Sequence, residues 1–315
     1  MDTTETLLLP PGGSTIAGEV DALFYFIVYA SIAIFGIVLF GIIYLSIKYR
    51  TEKAAVEGTT SGVSHNTRLE LAWSIIPAIL VIIVFIWGFN VYMKMSIVPK
   101  DAMEVKVTAQ KWFWSFDYPD GINTVNELVV PLGKPVKLLM SSRDVIHSFF
   151  VPAFRIKMDV LPNRYTLTWF EATKIGRYDI MCAEFCGDRH SEMLAKVRVV
   201  SEREYKEWLE SGTETAEDIT PVDYGRALFR TKACYTCHNV DGTSAVGPAL
   251  NGIVGKRRAL VGEGEVTIDE NYLRESILEP RASIAAGYQP VMPTYQGMLN
   301  DKQVDALIAY IKSLK

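Results

Sequence analysis

Two uninterrupted apolar runs decide most of what this chain can fold into. Residues 22–47 and 71–93 contain no Asp, Glu, Lys or Arg, and at about 1.5 Å per residue each reaches across a hydrocarbon core of roughly 30 Å. Trp73, Trp87 and Tyr92 stand toward the ends of the second run, where amphipathic rings favour the membrane interface, and Pro77 falls early enough to be tolerated. The competing reading, a buried helix pair of a soluble protein, fits poorly with so long a charge-free stretch. Residues 1–21 hold no Lys or Arg, whereas the connecting segment carries Lys48, Arg50, Lys53 and Arg68. Basic loops stay on the cytoplasmic side, so both termini and everything after residue 93 are expected outside. The leader has no basic n-region, and no cleavable signal is expected from it. Glu70, at the cytoplasmic mouth of the second run, is either a proton-collecting carboxylate or a group solvated among headgroups.

The remainder of the chain has the composition of ordinary globular protein. With 32 Lys+Arg against 36 Asp+Glu and a formal net charge of -4, it offers no basic footprint for nucleic acid. Between residues 103 and 200 the apolar period shifts to two. Val105, Val107 and Ala109 alternate with polar neighbours, and Trp112, Trp114, Phe116 and Tyr118 share one face. Turn signals at Pro119-Asp120-Gly121, Pro131-Leu132-Gly133 and Pro162-Asn163 recur at strand-like intervals, which predicts a small antiparallel sandwich or barrel. Core packing is the ordinary reason for such an aromatic stripe.

The four cysteines fall in two close pairs. The first lies in Cys182-Ala-Glu184-Phe-Cys186-Gly-Asp-Arg-His190-Ser-Glu-Met193, and His147 stands upstream. Thiolate, thioether and imidazole are soft and borderline ligands that select copper over hard cations. Two cysteines four apart can bridge two metal ions, each completed by one His and one weak ligand, here Met193 and the main-chain carbonyl of Glu184. A disulfide is chemically permitted outside the cell but leaves the histidines and Met193 unexplained. A Cys2His2 zinc site does not need Met193.

Beyond an acidic, polar stretch over residues 211–221, Cys234-Tyr-Thr-Cys237-His238 has the spacing of covalent haem attachment: two thiols for the vinyl groups, then an axial His. A helix is expected just after Pro221, over about residues 223–231, with Ala227, Leu228 and Phe229 as its apolar residues. Pro248 is placed to accept the His238 ring N–H. Met292, followed by Pro293, offers a sixth iron ligand, with Met298 the weaker candidate. A last helix is capped by Asn300 and Gln303, with Val304, Leu307, Ile308 and Ile311 facing the first. A thiol-redox or zinc C-x-x-C explains neither the adjoining His nor the late Met-Pro pair.

Taken together, the helical hairpin, the Lys111-Trp112-Phe113-Trp114-Ser115 run, the C-x-E-x-C-G-x-x-H-x-x-M loop and the C-x-x-C-H motif resemble subunit II of haem-copper cytochrome c oxidases of the bacterial caa type, which carries a fused cytochrome c. The resemblance implies a multidomain chain: an outer N-terminal segment (1–21), a transmembrane hairpin (22–93, cytoplasmic loop 48–70), an all-β cupredoxin-like domain (94–207), a linker (208–221) and an all-α class I cytochrome c domain (222–315). It implies a binuclear copper centre, CuA, on His147, Cys182, Glu184, Cys186, His190 and Met193, with the Glu184 side chain reaching a Mg or Mn ion at the contact with subunit I. It also implies haem c on Cys234, Cys237, His238 and Met292, electrons entering CuA at Trp112, and a proton path opening at Glu70. The expected function is an electron relay in a terminal oxidase of the bacterial inner membrane, from a soluble or membrane donor to subunit I, where oxygen is reduced to water, with subunit III as a further partner. The competing functions are a copper-handling or thiol-redox assembly factor and the relay subunit of a nitric oxide reductase.

Overall fold

A computed structural model describes residues 8–50, 65–213, 220–262 and 264–315. Lys53 of the basic loop and residues 214–219 of the expected linker lie outside them. Helix α1 spans Ala17–Lys48 and α2 spans Thr67–Ser96, so each exceeds its charge-free run. The added turns carry the flanking polar residues: Glu19 and Asp21 in α1, Glu70 and Lys94 in α2. A helix satisfies its own backbone, so it has no reason to stop where the lipid does. Asn66 caps α2, accepting from the Leu69 N–H at 3.2 Å. Lys94 Nζ lies 2.8 Å from Glu19 and ties the two helices at one end.

The next ten strands build two five-stranded sheets. One has the order β3-β2-β1-β5-β8, from Asn123–Val125, Phe113–Asp117, Met103–Gln110, Pro135–Ser142 and Thr166–Glu171. The other has the order β4-β10-β9-β6-β7, from Glu127–Pro131, Leu194–Val200, Gly176–Cys182, His147–Val151 and Ile156–Val160. The sandwich is therefore cupredoxin-like in its layers, but it is not purely antiparallel as expected. Strands β1 and β5 run parallel, as do β10 and β4. A period of two records which face is buried and says nothing about direction; direction follows from whether the connection is a tight hairpin or a longer crossover.

Trp114, Phe116, Leu128, Leu138, Phe149 and Phe154 fill the space between the sheets, fully buried. Each contributes about 1.5–3 kcal/mol relative to exposure. Phe113 is buried too, although the alternation places it on the opposite face, because β2 is covered on both sides as far as Phe116. Helix α3, Glu202–Thr213, extends into the segment expected as linker. Its Trp208 ring meets Tyr118 at 4.9 Å between centroids, so residue 208 packs on the sandwich.

The C-terminal unit holds α4 (Pro221–Thr231), α5 (Glu270–Leu278) and α6 (Asp301–Ser313). Thr220 caps α4, and Asn300 with Gln303 forms a reciprocal capping box on α6, as the spacing predicts. Leu228 and Phe229 face Val304, Leu307 and Ile308. Ala227 is exposed and Gly225 is buried instead. A Cβ on Gly225 would stand 1.9 Å from the Ala306 carbonyl oxygen, so the crossing of α4 and α6 requires glycine there. A short hairpin, β11 (Arg257–Leu260) and β12 (Gly264–Thr267), interrupts the helices. Its four-residue strands are too brief to register as alternation.

Candidate metal centres

The first centre is assembled from three places in the chain. His147 opens β6, Cys182 ends β9, and the following loop returns through Cys186, His190 and Met193 to β10. Adjacent antiparallel strands β6 and β9 bring His147 toward Cys182 across 35 residues, with Sγ to Nδ1 at 3.9 Å. Cys186 Sγ lies 3.8 Å from Cys182 Sγ, 3.5 Å from His190 Nδ1 and 3.8 Å from Met193 Sδ. The Glu184 carbonyl oxygen is 3.2 Å from Cys182 Sγ, while the Glu184 side chain points to the exposed surface. His147 and Met193 are fully buried. Each sulfur thus has its own imidazole and its own weak donor, and the two sulfurs face each other.

Electrostatics keep this donor set ready for a metal. Burial pushes the Cys182 thiol up, but hydrogen bonds from the His147 ring and neighbouring main chain outweigh it and bring it down. The Cys186 thiol goes up through burial and the neighbouring Cys182 charge. The two thiols are thus pushed in opposite directions, and binding a metal would require both protons to leave. Asp144, which the sequence reading missed, orients the site. Its Oδ1 lies 2.8 Å from His147 Nε2, and its Oδ2 accepts from the Lys111 N–H at 2.8 Å. Holding the Nε2 proton on Asp144 leaves Nδ1 as the nitrogen turned to Cys182, the one that would give its lone pair to a metal once its own proton is released, which is how an outer carboxylate prepares a histidine ligand. Its only sequence signal is a carboxylate three residues before the lone histidine.

Trp112 is buried against the same loop. A Cβ on Gly187, whose φ is 118°, would be 3.4 Å from Trp112 Cζ2, so glycine lets the loop close onto the indole face. The indole Nε1 is buried without a hydrogen-bond partner.

The second centre is an apolar cavity in the C-terminal unit, lined by Cys234, Cys237, His238 and Met292. The motif leaves α4 through Ala233, in the left-handed region at φ 57°, and a 3-10 turn over Cys234–Thr236. His238 Nδ1 is 2.8 Å from the Pro248 carbonyl oxygen, as anticipated. Burial lowers the His238 pKa against that bond, which favours the neutral ring, and a proton on Nδ1 toward Pro248 leaves the lone pair on Nε2. A Cβ on Gly247 would lie 2.6 Å from His238 Cε1, so this glycine makes room for the ring. The Ser276 hydroxyl lines the cavity, buried and unpartnered. An apolar slot, two thiols and an adjacent neutral imidazole, with one orphaned hydroxyl, fit a flat apolar macrocycle bearing a few polar substituents. Met298 lines a different cavity, and its sulfur accepts from Arg143 Nη1 at 3.5 Å. Lys111 and Phe113 of the sandwich form part of the wall of the first cavity. Glu70 stands apart from both centres, in the first turn of α2, accepting from the Asn66 N–H at 3.2 Å.

The model of the cytochrome c oxidase subunit II transmembrane domain matches residues 3–91, that of its periplasmic domain residues 121–200, and that of cytochrome c residues 222–315. Cytochrome c oxidase subunit 2 of Alkalihalophilus pseudofirmus is 34% identical over 278 residues, covering 85% of this chain and 79% of that one. The chain belongs to the cytochrome c oxidase subunit II family. Its two apolar helices, cupredoxin-like sandwich and C-terminal cytochrome c domain make it the caa-type member expected, a membrane-bound oxidoreductase subunit of electron transport for which copper and haem are implied. Cytochrome c oxidase subunit 2 of Cereibacter sphaeroides is 29% identical over 256 residues, 67% of this chain and 83% of that one. The solved periplasmic domain of cytochrome oxidase subunit II from Bradyrhizobium japonicum is 35% identical, spanning 37% of this chain and 96% of that one, with a TM-score of 0.36.

Proposed function

We propose that this oxidase subunit II relays electrons from an external donor, by way of a haem c and a CuA pair, to subunit I, where oxygen is reduced to water. Cys182, Cys186, His147, His190, Met193 and the Glu184 carbonyl would hold the copper pair; Cys234 and Cys237 would tether the haem, and His238 and Met292 would ligate its iron. When bound, these groups each supply a one-electron couple at a closed, fully ligated site. The observation that carries the reading is the duplication at the first centre: two facing sulfurs, each with its own imidazole and weak donor. A single zinc would use four of these six donors, and a single copper needs only one of the two cysteines.

The residues between the centres support a route. Trp112 packs on the copper loop, while its neighbours Lys111 and Phe113 wall the haem cavity. Trp112 would therefore be where electrons enter the copper centre, through contact rather than solvent. The exposed Glu184 side chain is free to reach a Mg or Mn ion at the subunit I contact, and the hairpin offers its uncovered apolar surface to lipid and to subunits I and III. Support for placing both termini and both redox domains on the outer side comes from residues 13–15, which hydrogen-bond to the sandwich and so share its end of the hairpin.

The test uses the full chain carrying haem and copper. One electron placed on the haem by a photoreductant should leave it again, with matched bleaching of the copper near-infrared band. A haem that stays reduced while the copper stays oxidised would refute the relay, and a single, easily exchanged copper would favour the assembly-factor reading.

A further inference from the structure

The segment ahead of α1 is built into the sandwich. The Gly13 N–H donates to the Ala153 carbonyl at 2.8 Å, the Thr15 N–H to that of Glu171 at 3.0 Å, and the Thr173 N–H returns a bond to Gly13 at 2.9 Å. Ser14 Oγ donates to the Phe154 carbonyl at 2.9 Å. Residues 13–15 thus lie as a strap across the 3-10 turn Pro152–Phe154, which directly follows β6, the strand that begins with His147. A Cβ on Gly13 would stand 2.8 Å from Tyr178 Cε1 and 2.9 Å from Phe154 Cε1, so the strap passes where only glycine fits.

Arg155 locks the strap to the membrane helix. It adopts φ 57°, in the left-handed region that disfavours a side chain, and such a conformation persists only where the surroundings impose it. Its guanidinium supplies the reason. Nε and Nη2 grip both oxygens of Asp21 at 2.6 and 2.9 Å, Nη1 donates to the Pro152 carbonyl at 2.6 Å, and Nη2 also donates to that of Pro10 at 2.6 Å. The Arg155 side chain is only 6% exposed. Asp21 belongs to α1, and Glu19, two residues earlier, holds Lys94 of α2. The outer end of α1 is therefore fastened by one acid to its partner helix and by another to the sandwich.

A domain joined to a helix by one peptide link can swivel about it. A bidentate Arg–carboxylate pair fixes rotation as well as distance, and the strap adds a third attachment off that axis. We propose that Arg155 is a positioning residue: acting through Asp21 and the strap, it sets the orientation of the copper-carrying sandwich on the membrane hairpin. The inference rests on the relay reading, because orientation matters to electron delivery only if the sandwich carries the copper pair toward subunit I.

The full copper-loaded chain, placed in oriented lipid multilayers without partner subunits, gives the test. The paramagnetic resonance of the copper pair is recorded as the membrane normal is rotated in the field. The natural chain should show a spectrum that depends on angle. Arg155→Met, and equally Arg155→Lys, which keeps the charge but loses the fork, should keep the frozen-solution spectrum and lose the angle dependence. Amide exchange at Gly13, Thr15 and Thr173 should quicken in the same variants, a readout that needs no metal. Asp21→Asn, a milder change, serves if the Arg155 variants fail to fold and should show the same loss. Angle dependence and amide protection equal to the natural chain in these variants would overturn the positioning role. A natural chain whose frozen-solution spectrum lacks a copper pair would instead overturn the relay reading, and the role of Arg155 in it.

Discussion

Asp144 and Met292 illustrate two ways in which a single side chain would govern a proposed metal centre. Asp144 touches no proposed metal position, yet it decides which nitrogen of His147 faces Cys182. Asp144→Asn should lower copper affinity by about 10–100-fold, the usual penalty for losing the partner of a histidine ligand, read by competition with a copper chelator. Met292 shares a cavity with His238, whereas Met298 is engaged by Arg143 elsewhere. Met292→Leu should leave haem attached through Cys234 and Cys237 but lower its reduction potential in a potentiometric titration, since Met/His ligation raises it. An unchanged potential would reassign the sixth ligand. The proposed ligands were legible in the sequence to the extent that they cluster: Cys182, Glu184, Cys186, His190 and Met193 fall in one loop, and His147 stood out because the chain has only four histidines. Asp144 was not legible, because an acid three residues before a histidine is ordinary until strand pairing places that ring against a thiol.

Elements obey contacts that periodicity cannot express. Helix α4 is signalled by Pro221, although it starts at that residue rather than after it, and its packing face turns on Gly225, whose missing side chain lets the Ala306 backbone approach. Gly225→Val should destabilise the C-terminal unit by about 1–3 kcal/mol or unseat α6, seen as a lower denaturant midpoint for the haem absorbance. A midpoint equal to that of the natural chain would mean that the helices cross elsewhere. Sheet direction is hidden for a related reason. The alternation in β5 is complete, with every second residue buried, yet its parallel pairing with β1 comes from chain connection. Helix α1 runs back to Ala17, beyond its charge-free run, because charge marks where lipid stops while backbone hydrogen bonding carries the helix on.

At the scale of the whole molecule, the cytochrome domain rests on the sandwich through residues remote in sequence. Lys232, buried and two residues before the first haem cysteine, donates to the Asn123 side-chain oxygen, and Asn123 in turn donates to Asp117 at 2.6 Å and to Ser115 at 2.9 Å. Burial lowers the Lys232 pKa, partly offset by the nearby Asp117 charge. Lys232→Met should weaken docking by about 1.5–3 kcal/mol, the range for a hydrogen bond to a charged group. Amide exchange should then rise over residues 123–127 while β5 stays protected. No motif announces such a contact, which spans 109 residues and exists only when both domains are folded.

Spectroscopy and elemental analysis of the purified chain bear on the copper centre that all of these arguments share. Two tightly held copper ions per chain, with a paramagnetic resonance spectrum in which one unpaired electron is shared equally between both nuclei, are the predicted result. Zinc at Cys182 and Cys186, or the spectrum of an isolated cupric ion, would contradict it.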